Sequence, residues 1–138
     1  MLNKTILVSF LFLISFKAVS GPTAQTLPEL HSGEGWRVIR SVEIGQTGKY
    51  INMVLVDLDR DTDLSLYGAA RIKICRSQPD FCRIRFWNEE RYIPNSVSFT
   101  KNQYKTLRAE YTFNREGDIQ TMQYGCTVLP NKSLCFNY

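Results

Sequence analysis

Two stretches in the first half of the chain show the clearest patterns of apolar and polar residues. Apolar side chains recur at every second position from Trp36 to Ile44, and turn-forming residues follow at 45–48. The next stretch, Tyr50 to Val56, is apolar at successive positions apart from Asn52. Alternation is typical of a strand with one exposed face, and a continuous apolar run is typical of a strand covered on both faces. The pattern therefore predicts a hairpin whose second strand lies inside a sheet.

Residues 61–76 fit two different structures. As a helix, the segment has an N-cap at Asp61 or Thr62 and one apolar stripe. The stripe consists of Leu66, Tyr67, Ala70 and Ile74. As a strand, the segment alternates from Arg71 to Cys75 and leads into a hairpin. The helix is favoured, because Leu64 to Ala70 are good helix formers and follow an acidic cap.

Four aspartates at alternate positions suggest the opening ligands of an EF-hand calcium loop. They are Asp57, Asp59, Asp61 and Asp63. The remainder of that loop is missing, because Thr62 stands where a glycine is needed and Gly68 where a bidentate glutamate is needed. The pattern favours carboxylates that cap a helix and interact with its dipole over a metal site.

A third strand is predicted over Phe81 to Trp87, where apolar and basic residues alternate. One face carries Cys82, Ile84 and Phe86, and the other carries Phe81, Arg83, Arg85 and Trp87. A loop follows over residues 88–98.

A second helix is predicted to begin after Thr100, which forms a capping box with Gln103. Phe99 is expected to pack on Tyr104 as a hydrophobic staple. The helix is expected to continue along a stripe of Tyr104, Leu107 and Tyr111 and to stop at residues 114–117. A last strand is predicted over Ile119 to Cys126.

Together these elements predict one small α+β domain, with about four largely antiparallel strands and two helices packed on one face of the sheet. The length of 138 residues is enough for one domain, and a 43% hydrophobic content excludes a disordered chain.

The N-terminus has the order of a secretion signal. Lys4 precedes an apolar stretch at residues 5–16, and small residues lead to a cleavage point before Gly21. We therefore expect a signal peptide at residues 1–20, a flexible leader at 21–35, and the domain at 36–138. The exported protein is then periplasmic or secreted, and its mature chain contains no transmembrane segment.

The charge balance disfavours nucleic acid as a partner. The chain has 17 basic and 13 acidic residues, a formal charge of +4. Loss of residues 1–20 removes Lys4 and Lys17 and leaves 15 minus 13, or +2. So small a charge creates no strong overall field.

Four cysteines in an exported chain indicate two disulfides. Of the three possible pairings we favour Cys75–Cys82 with Cys126–Cys135, because each closes a short loop. Zinc is disfavoured, since neither spacing is that of a zinc knuckle and the only histidine, His31, lies in the leader. We expect no metal and no cofactor.

The segment from residue 75 to 136 resembles a group of small exported proteobacterial proteins for which no activity is known. The resemblance rests on Cys75, the strand Phe81–Trp87, Pro94, Tyr111, Asn114, Gly117, Cys126 and Cys135–Phe136. It covers about half of the mature chain. It supports a helix over residues 61–75 and implies no activity.

Catalytic chemistry finds little support in the sequence. A Ser-His or Cys-His arrangement needs an imidazole, and His31 is the only one. A carboxylate pair remains open, and the acids available for it are Asp80, Glu89, Glu90 and Glu110.

The best candidate for binding combines guanidinium and aromatic groups, which suit anionic or sugar-like ligands and protein interfaces. Its residues are Arg83, Arg85 and Trp87 on the third strand and Arg91 and Tyr92 in the loop. The same residues also fit a structural role, with the arginines on the solvent face and Trp87 under the second helix. We therefore expect a non-enzymatic binding module for an envelope protein, a polyanion or an envelope polysaccharide. An inhibitor of a secreted hydrolase such as lysozyme and a small carboxylate-dependent hydrolase are the alternatives.

Overall fold

The structure, a computed structural model, describes residue 18, residues 28–131 and residues 133–136. The rest of the predicted signal peptide and the leader up to residue 27 lie outside the described residues. None of the helices in these ranges is both long and apolar enough to cross a membrane.

The described residues form an α+β fold built on one seven-stranded sheet whose strands follow chain order. The strands are β1 (Ser32–Gly33), β2 (Trp36–Glu43), β3 (Tyr50–Val56), β4 (Phe81–Trp87), β5 (Ala109–Asn114), β6 (Ile119–Gly125) and β7 (Cys135–Phe136). The helices are α1 (Leu64–Cys75) and α2 (Lys101–Lys105), and short 3-10 helices occur at Leu58–Arg60 and Glu90–Tyr92.

The expectation of about four largely antiparallel strands is wrong. Of the six strand pairings among the described residues, β3–β4 and β6–β7 are parallel. The first is parallel because α1 carries the chain back across the sheet, as a parallel connection requires. The edge strands β1 and β7 have two residues each, too few to produce a periodic pattern. The predicted leader extends to residue 35, but Ser32 and Gly33 already pair with β2.

The predicted hairpin is confirmed as β2 and β3, which pair antiparallel with a β-bulge between Val38 and Arg40. Every residue of β3 from Ile51 to Val54 is buried, in agreement with a strand covered on both faces. Asn52 is the polar exception. Its amide nitrogen donates to the Arg83 carbonyl at 3.2 Å, and its oxygen accepts from the Ser41 hydroxyl at 2.8 Å.

The helical interpretation of residues 61–76 is confirmed by α1. Its N-cap is Asp63, one or two positions later than expected, and the carboxylate accepts from the Ser65 amide at 3.1 Å. The Ser65 hydroxyl, which donates to the same carboxylate at 2.6 Å, and the nearby Arg60 guanidinium hold the pKa of Asp63 below its usual value. The predicted stripe is buried, and it consists of Leu66, Tyr67, Ala70 and Ile74.

The second helix is much shorter than expected. The Thr100–Gln103 capping box is present, and the Phe99 and Tyr104 rings stack with their centroids 4.1 Å apart. The helix ends at Lys105, and residues 109–114 form β5 instead. Tyr111 fits both a helical stripe and an alternating strand, and pairing with β4 decides for the strand.

The two helices lie on opposite faces of the sheet, and the expectation that they share a face is wrong. One hydrophobic core joins α1 to Cys82, Ile84 and Phe86 of β4. A second core on the other face joins Trp87 to Leu107, Phe99 and residues of β3. A sheet that is apolar on both faces needs a cover on each.

Both predicted disulfides are confirmed. Cys75–Cys82 links the last residue of α1 to β4, and Cys126–Cys135 links the residue after β6 to β7. Neither a free cysteine nor any other pairing occurs among the described residues.

Candidate functional site

The two faces of β4 have the composition that its alternation predicts. Cys82, Ile84 and Phe86 are buried against the α1 side. Arg83 and Arg85 are on the opposite face with Trp87. On that face the core covers only part of the sheet, so the three residues lie in different surroundings.

Arg85 is almost completely buried, with 6% of the residue exposed. Its Nε donates to a carboxylate oxygen of Glu110, the residue directly opposite on β5. The guanidinium carbon lies 4.1 Å from the centroid of the Phe99 ring, a cation–π contact. Nη1 is buried and has no hydrogen-bond partner among the described residues. Arg85 therefore retains a donor that the surrounding protein does not use.

Arg83 binds the same carboxylate from the neighbouring position of the strand face. Its Nη2 lies 3.2 Å from Oε1 of Glu110, and 30% of its side chain is exposed. Its Nε is also buried without a partner among the described residues. We call Arg83, Arg85 and Glu110 the arginine cluster. Two guanidinium groups share one carboxylate, so the cluster carries a net charge of +1.

Neutral polar residues extend from the arginine cluster to the edge of the sheet. Thr112 and Thr121 lie in register with Arg83, and Gln123 lies in register with Glu110. Thr121 and Gln123 are exposed, and Thr112 is half-buried. The cluster therefore stands at the inner end of an open face with hydroxyl and amide groups.

Trp87 is not part of this open face. Its side chain is fully buried, and its Nε1 donates to the Gln103 carbonyl at 3.0 Å. The indole also meets the Phe99 ring edge to face at 5.9 Å. Trp87 supports α2 and is inaccessible to a ligand. This agrees with the structural role considered above, in which Trp87 lies under the second helix.

Arg91 and Tyr92 lie in the loop after β4. Arg91 is exposed, pairs with Glu89 at 2.8 Å, and lies over the Tyr92 ring at 4.6 Å. Both contacts stay within the loop. The structure therefore brings together Arg83 and Arg85 of the five predicted residues, and it leaves the other three apart from them.

Two members of the site, Glu110 and Phe99, were not predicted. Glu110 was expected on a helix, where it has no relation to β4. Alternation of Ala109, Glu110 and Tyr111 is the signal that would have placed this carboxylate on the strand face opposite the arginines.

A second buried polar group holds the other end of β4 and β5. Arg108 forms an ion pair with Asp61, whose carboxylate also accepts from the Asn88 amide at 2.7 Å. The Tyr67 hydroxyl donates to the Asp61 carbonyl at 2.5 Å. Burial raises the pKa of Tyr67 well above its ordinary value of 10.0. This group joins the loop after β3 to the start of β5 and serves the fold.

Two of the aspartates considered for calcium binding make separate contacts with other groups. Asp61 pairs with Arg108, and Asp63 caps α1. Within the described ranges, no three side chains of His, Cys, Asp or Glu are grouped to hold a metal ion.

The acids considered for carboxylate catalysis are each paired with arginine. The pairs are Asp80–Arg115, Glu89–Arg91, Glu90–Arg37, and Glu110 with Arg83 and Arg85. A general acid of the glycosidase type instead sits in apolar surroundings that keep it protonated. The contacts therefore favour ionic roles for these carboxylates.

Comparison with known proteins finds no matching family model, no matching curated protein and no matching solved structure. The resemblance to small exported proteobacterial proteins therefore stays a prediction.

Proposed function

We propose that the protein is an exported, non-enzymatic binding module that recognises an anionic polysaccharide at the arginine cluster. The observation that carries the proposal is the unused hydrogen-bonding capacity of two fixed guanidinium groups. Arg85 Nη1 and Arg83 Nε are buried without partners among the described residues. Arg108 Nε is also buried without a partner among the described residues, so we assign the ligand contact to Arg83, whose side chain is 30% exposed and whose guanidinium suits a ligand carboxylate or sulfate.

The surroundings of the cluster favour a sugar polymer over a compact anion. The open face beside it presents Thr112, Thr121 and Gln123, which hydrogen-bond with neutral hydroxyl groups. Glu110 neutralises one of the two arginines, so the cluster has a net charge of +1 and suits a ligand of low charge density. A polymer with one charge per sugar unit fits both features.

Export rests on the N-terminal sequence pattern. The two disulfides are compatible with it, because such bonds persist in oxidising compartments. Inhibition of a secreted hydrolase remains a prediction that a panel including lysozyme tests. Carboxylate-dependent hydrolysis also remains a prediction, although the ion pairs do not favour it.

The test compares two arginine variants on immobilised polygalacturonate, dextran sulfate and neutral dextran. Arg83→Gln removes a partly exposed member of the cluster, and Arg115→Gln removes an exposed arginine on another part of the surface. Both variants lose one positive charge, so they are matched in overall charge.

We expect retention on polygalacturonate, which has one charge per sugar unit, and none on neutral dextran; retention on dextran sulfate should be no stronger than on polygalacturonate. Arg83→Gln should weaken binding about tenfold, which corresponds to about 1.4 kcal/mol and lies near the contribution of one charged hydrogen bond. Arg115→Gln should bind like the unmodified protein. Equal loss in the two variants, or no retention on polygalacturonate, would contradict the proposal.

A further inference from the structure

The two edges of the sheet are protected very differently. The β2 edge carries Arg40 and Glu43, has a bulge, and is partly covered by β1. Charges, bulges and short covering strands are the usual means of preventing edge-to-edge pairing. The β6 edge has none of these between Ile119 and Gln123, a segment without charge or proline. Among the described residues, no strand pairs with this side of β6 before Tyr124.

The backbone groups that face outward from β6 can be identified from two hydrogen bonds. The Gly125 amide donates to the Arg108 carbonyl on the β5 side, and the Cys126 amide donates to the Phe136 carbonyl on the β7 side. Successive residues of a strand alternate in the direction of their backbone groups. Gln120 and Met122 therefore direct their amide and carbonyl groups away from the sheet.

Exposed apolar groups and a pocket lie at opposite ends of this edge. Ile119 is 43% exposed at one end. Toward the other end, a pocket of about 380 Å³ lies between residues 121–123 of β6 and residues 133–136, and Leu134 is 64% exposed. If β6 of a second copy paired antiparallel with this edge, its Ile119 would lie near the pocket at the C-terminal end of β6.

We propose that the protein self-associates through β6, with a second copy pairing antiparallel about a two-fold axis at Thr121. Gln120 then exchanges backbone hydrogen bonds with Met122 of the second copy. Ile119 lies opposite Gln123 of the second copy, next to the pocket beside Leu134. Each copy supplies both the apolar side chain and the pocket, as an isologous interface requires.

The neutral composition of β6 supports this choice of occupant. A two-fold pairing places each residue near the same segment of its copy, so any charge there would oppose a like charge. Ile119 to Gln123 carries none. One strand pair with one pocket from each copy is a small interface, so the dimer should be weak and depend on concentration.

Self-association through β6 does not depend on sugar binding, but it would affect how the arginine clusters bind a polymer. Side chains opposite each other in antiparallel strands share a face, so both arginine clusters lie on the same side of the joined sheet. Five strand spacings separate the two copies of β4, or about 24 Å. A polymer could contact both clusters at once, which raises its apparent affinity.

The first test measures mass in solution. The protein, produced from the full-length chain and purified with its disulfides intact, is followed by sedimentation velocity from about 1 μM to about 1 mM, which brackets weak interfaces. We expect a rise from monomer to dimer mass. Gln120→Pro removes an outward amide and should raise the dissociation constant at least about tenfold, while Gln120→Ala keeps that amide and should dimerise normally. Monomer mass at every concentration would overturn the proposal. It would do so even if a different protein were found to add a strand to β6.

The second test checks the register and does not depend on sugar binding. Thr121→Cys places a thiol opposite its own copy, whereas Gln123→Cys places one opposite Ile119 of the second copy. Mild oxidation should produce a covalent dimer from Thr121→Cys and not from Gln123→Cys. Equal crosslinking of both variants would refute the two-fold pairing, even if polysaccharide binding were observed.

Discussion

Replacing Glu110 with glutamine should destabilise the protein, because it removes the only carboxylate that contacts Arg83 and Arg85 in the described part of the chain. At 3.2 Å and an effective dielectric constant of about 20, the Arg83–Glu110 attraction is about 5 kcal/mol before desolvation is subtracted. Removing one partner of a fully buried pair costs about 3–5 kcal/mol. Glu110 keeps 21% of its side chain exposed, so water compensates part of the loss. We expect a decrease of about 2–3 kcal/mol in the free energy of unfolding.

Urea unfolding measures this decrease as a fall in midpoint of roughly 1–2 M at unchanged slope. The matched control is Glu116→Gln, which breaks an exposed pair with Lys49 and should change stability by less than about 0.5 kcal/mol. Adding Arg85→Met to Glu110→Gln should recover part of the loss, because the buried guanidinium is then gone. A Glu110→Gln effect as small as the control, or strict additivity with Arg85→Met, would refute the account of the cluster.

Three further predictions concern the fold. Tyr67 has a raised pKa in the folded state, so its contribution to stability is complete below pH 10.0 and is lost as the pH rises above that value. Tyr67→Phe should therefore flatten the decline of stability at alkaline pH in unfolding experiments, and an unchanged decline would count against this role of Tyr67. Replacing Cys75 and Cys82 together with alanine should lower stability by about 2.5 kcal/mol, measured by urea unfolding, and no change would mean that the short loop adds no constraint. Trp87→Ala should cost about 3–5 kcal/mol while Trp87→Phe costs less, and an insensitive melting temperature would contradict full burial of the indole.

Local patterns predicted the elements whose structure is decided locally. Alternation identified β2 and β4. The spacing of Thr100 and Gln103 identified the capping box, because its two reciprocal hydrogen bonds involve only these two residues. The same approach failed for Tyr111, whose spacing fits a helix equally well. Its conformation depends on pairing with Ile84 of β4, which is a tertiary effect.

The candidate site was predicted only as far as one strand extends. The period of two places Arg83 and Arg85 on the same face, and that prediction is confirmed. Their partner Glu110 lies on a segment that was expected to be helical, so the ion pairs were not foreseen. Trp87 shares their face, but α2 covers its end of the strand, and a single-strand pattern contains no information on such a cover.

Asn52 has a consequence for how the sheet selects its alignment. In the observed alignment its side chain contacts Ser41, the Arg83 carbonyl and Gln78. A shift of β3 by one residue would turn the amide toward the other hydrophobic core and leave it unpaired, at a cost of about 1–3 kcal/mol. Apolar neighbours such as Ile51 and Val54 would tolerate that shift far better. One buried amide thus discriminates against misaligned pairings of β3 with its two neighbours.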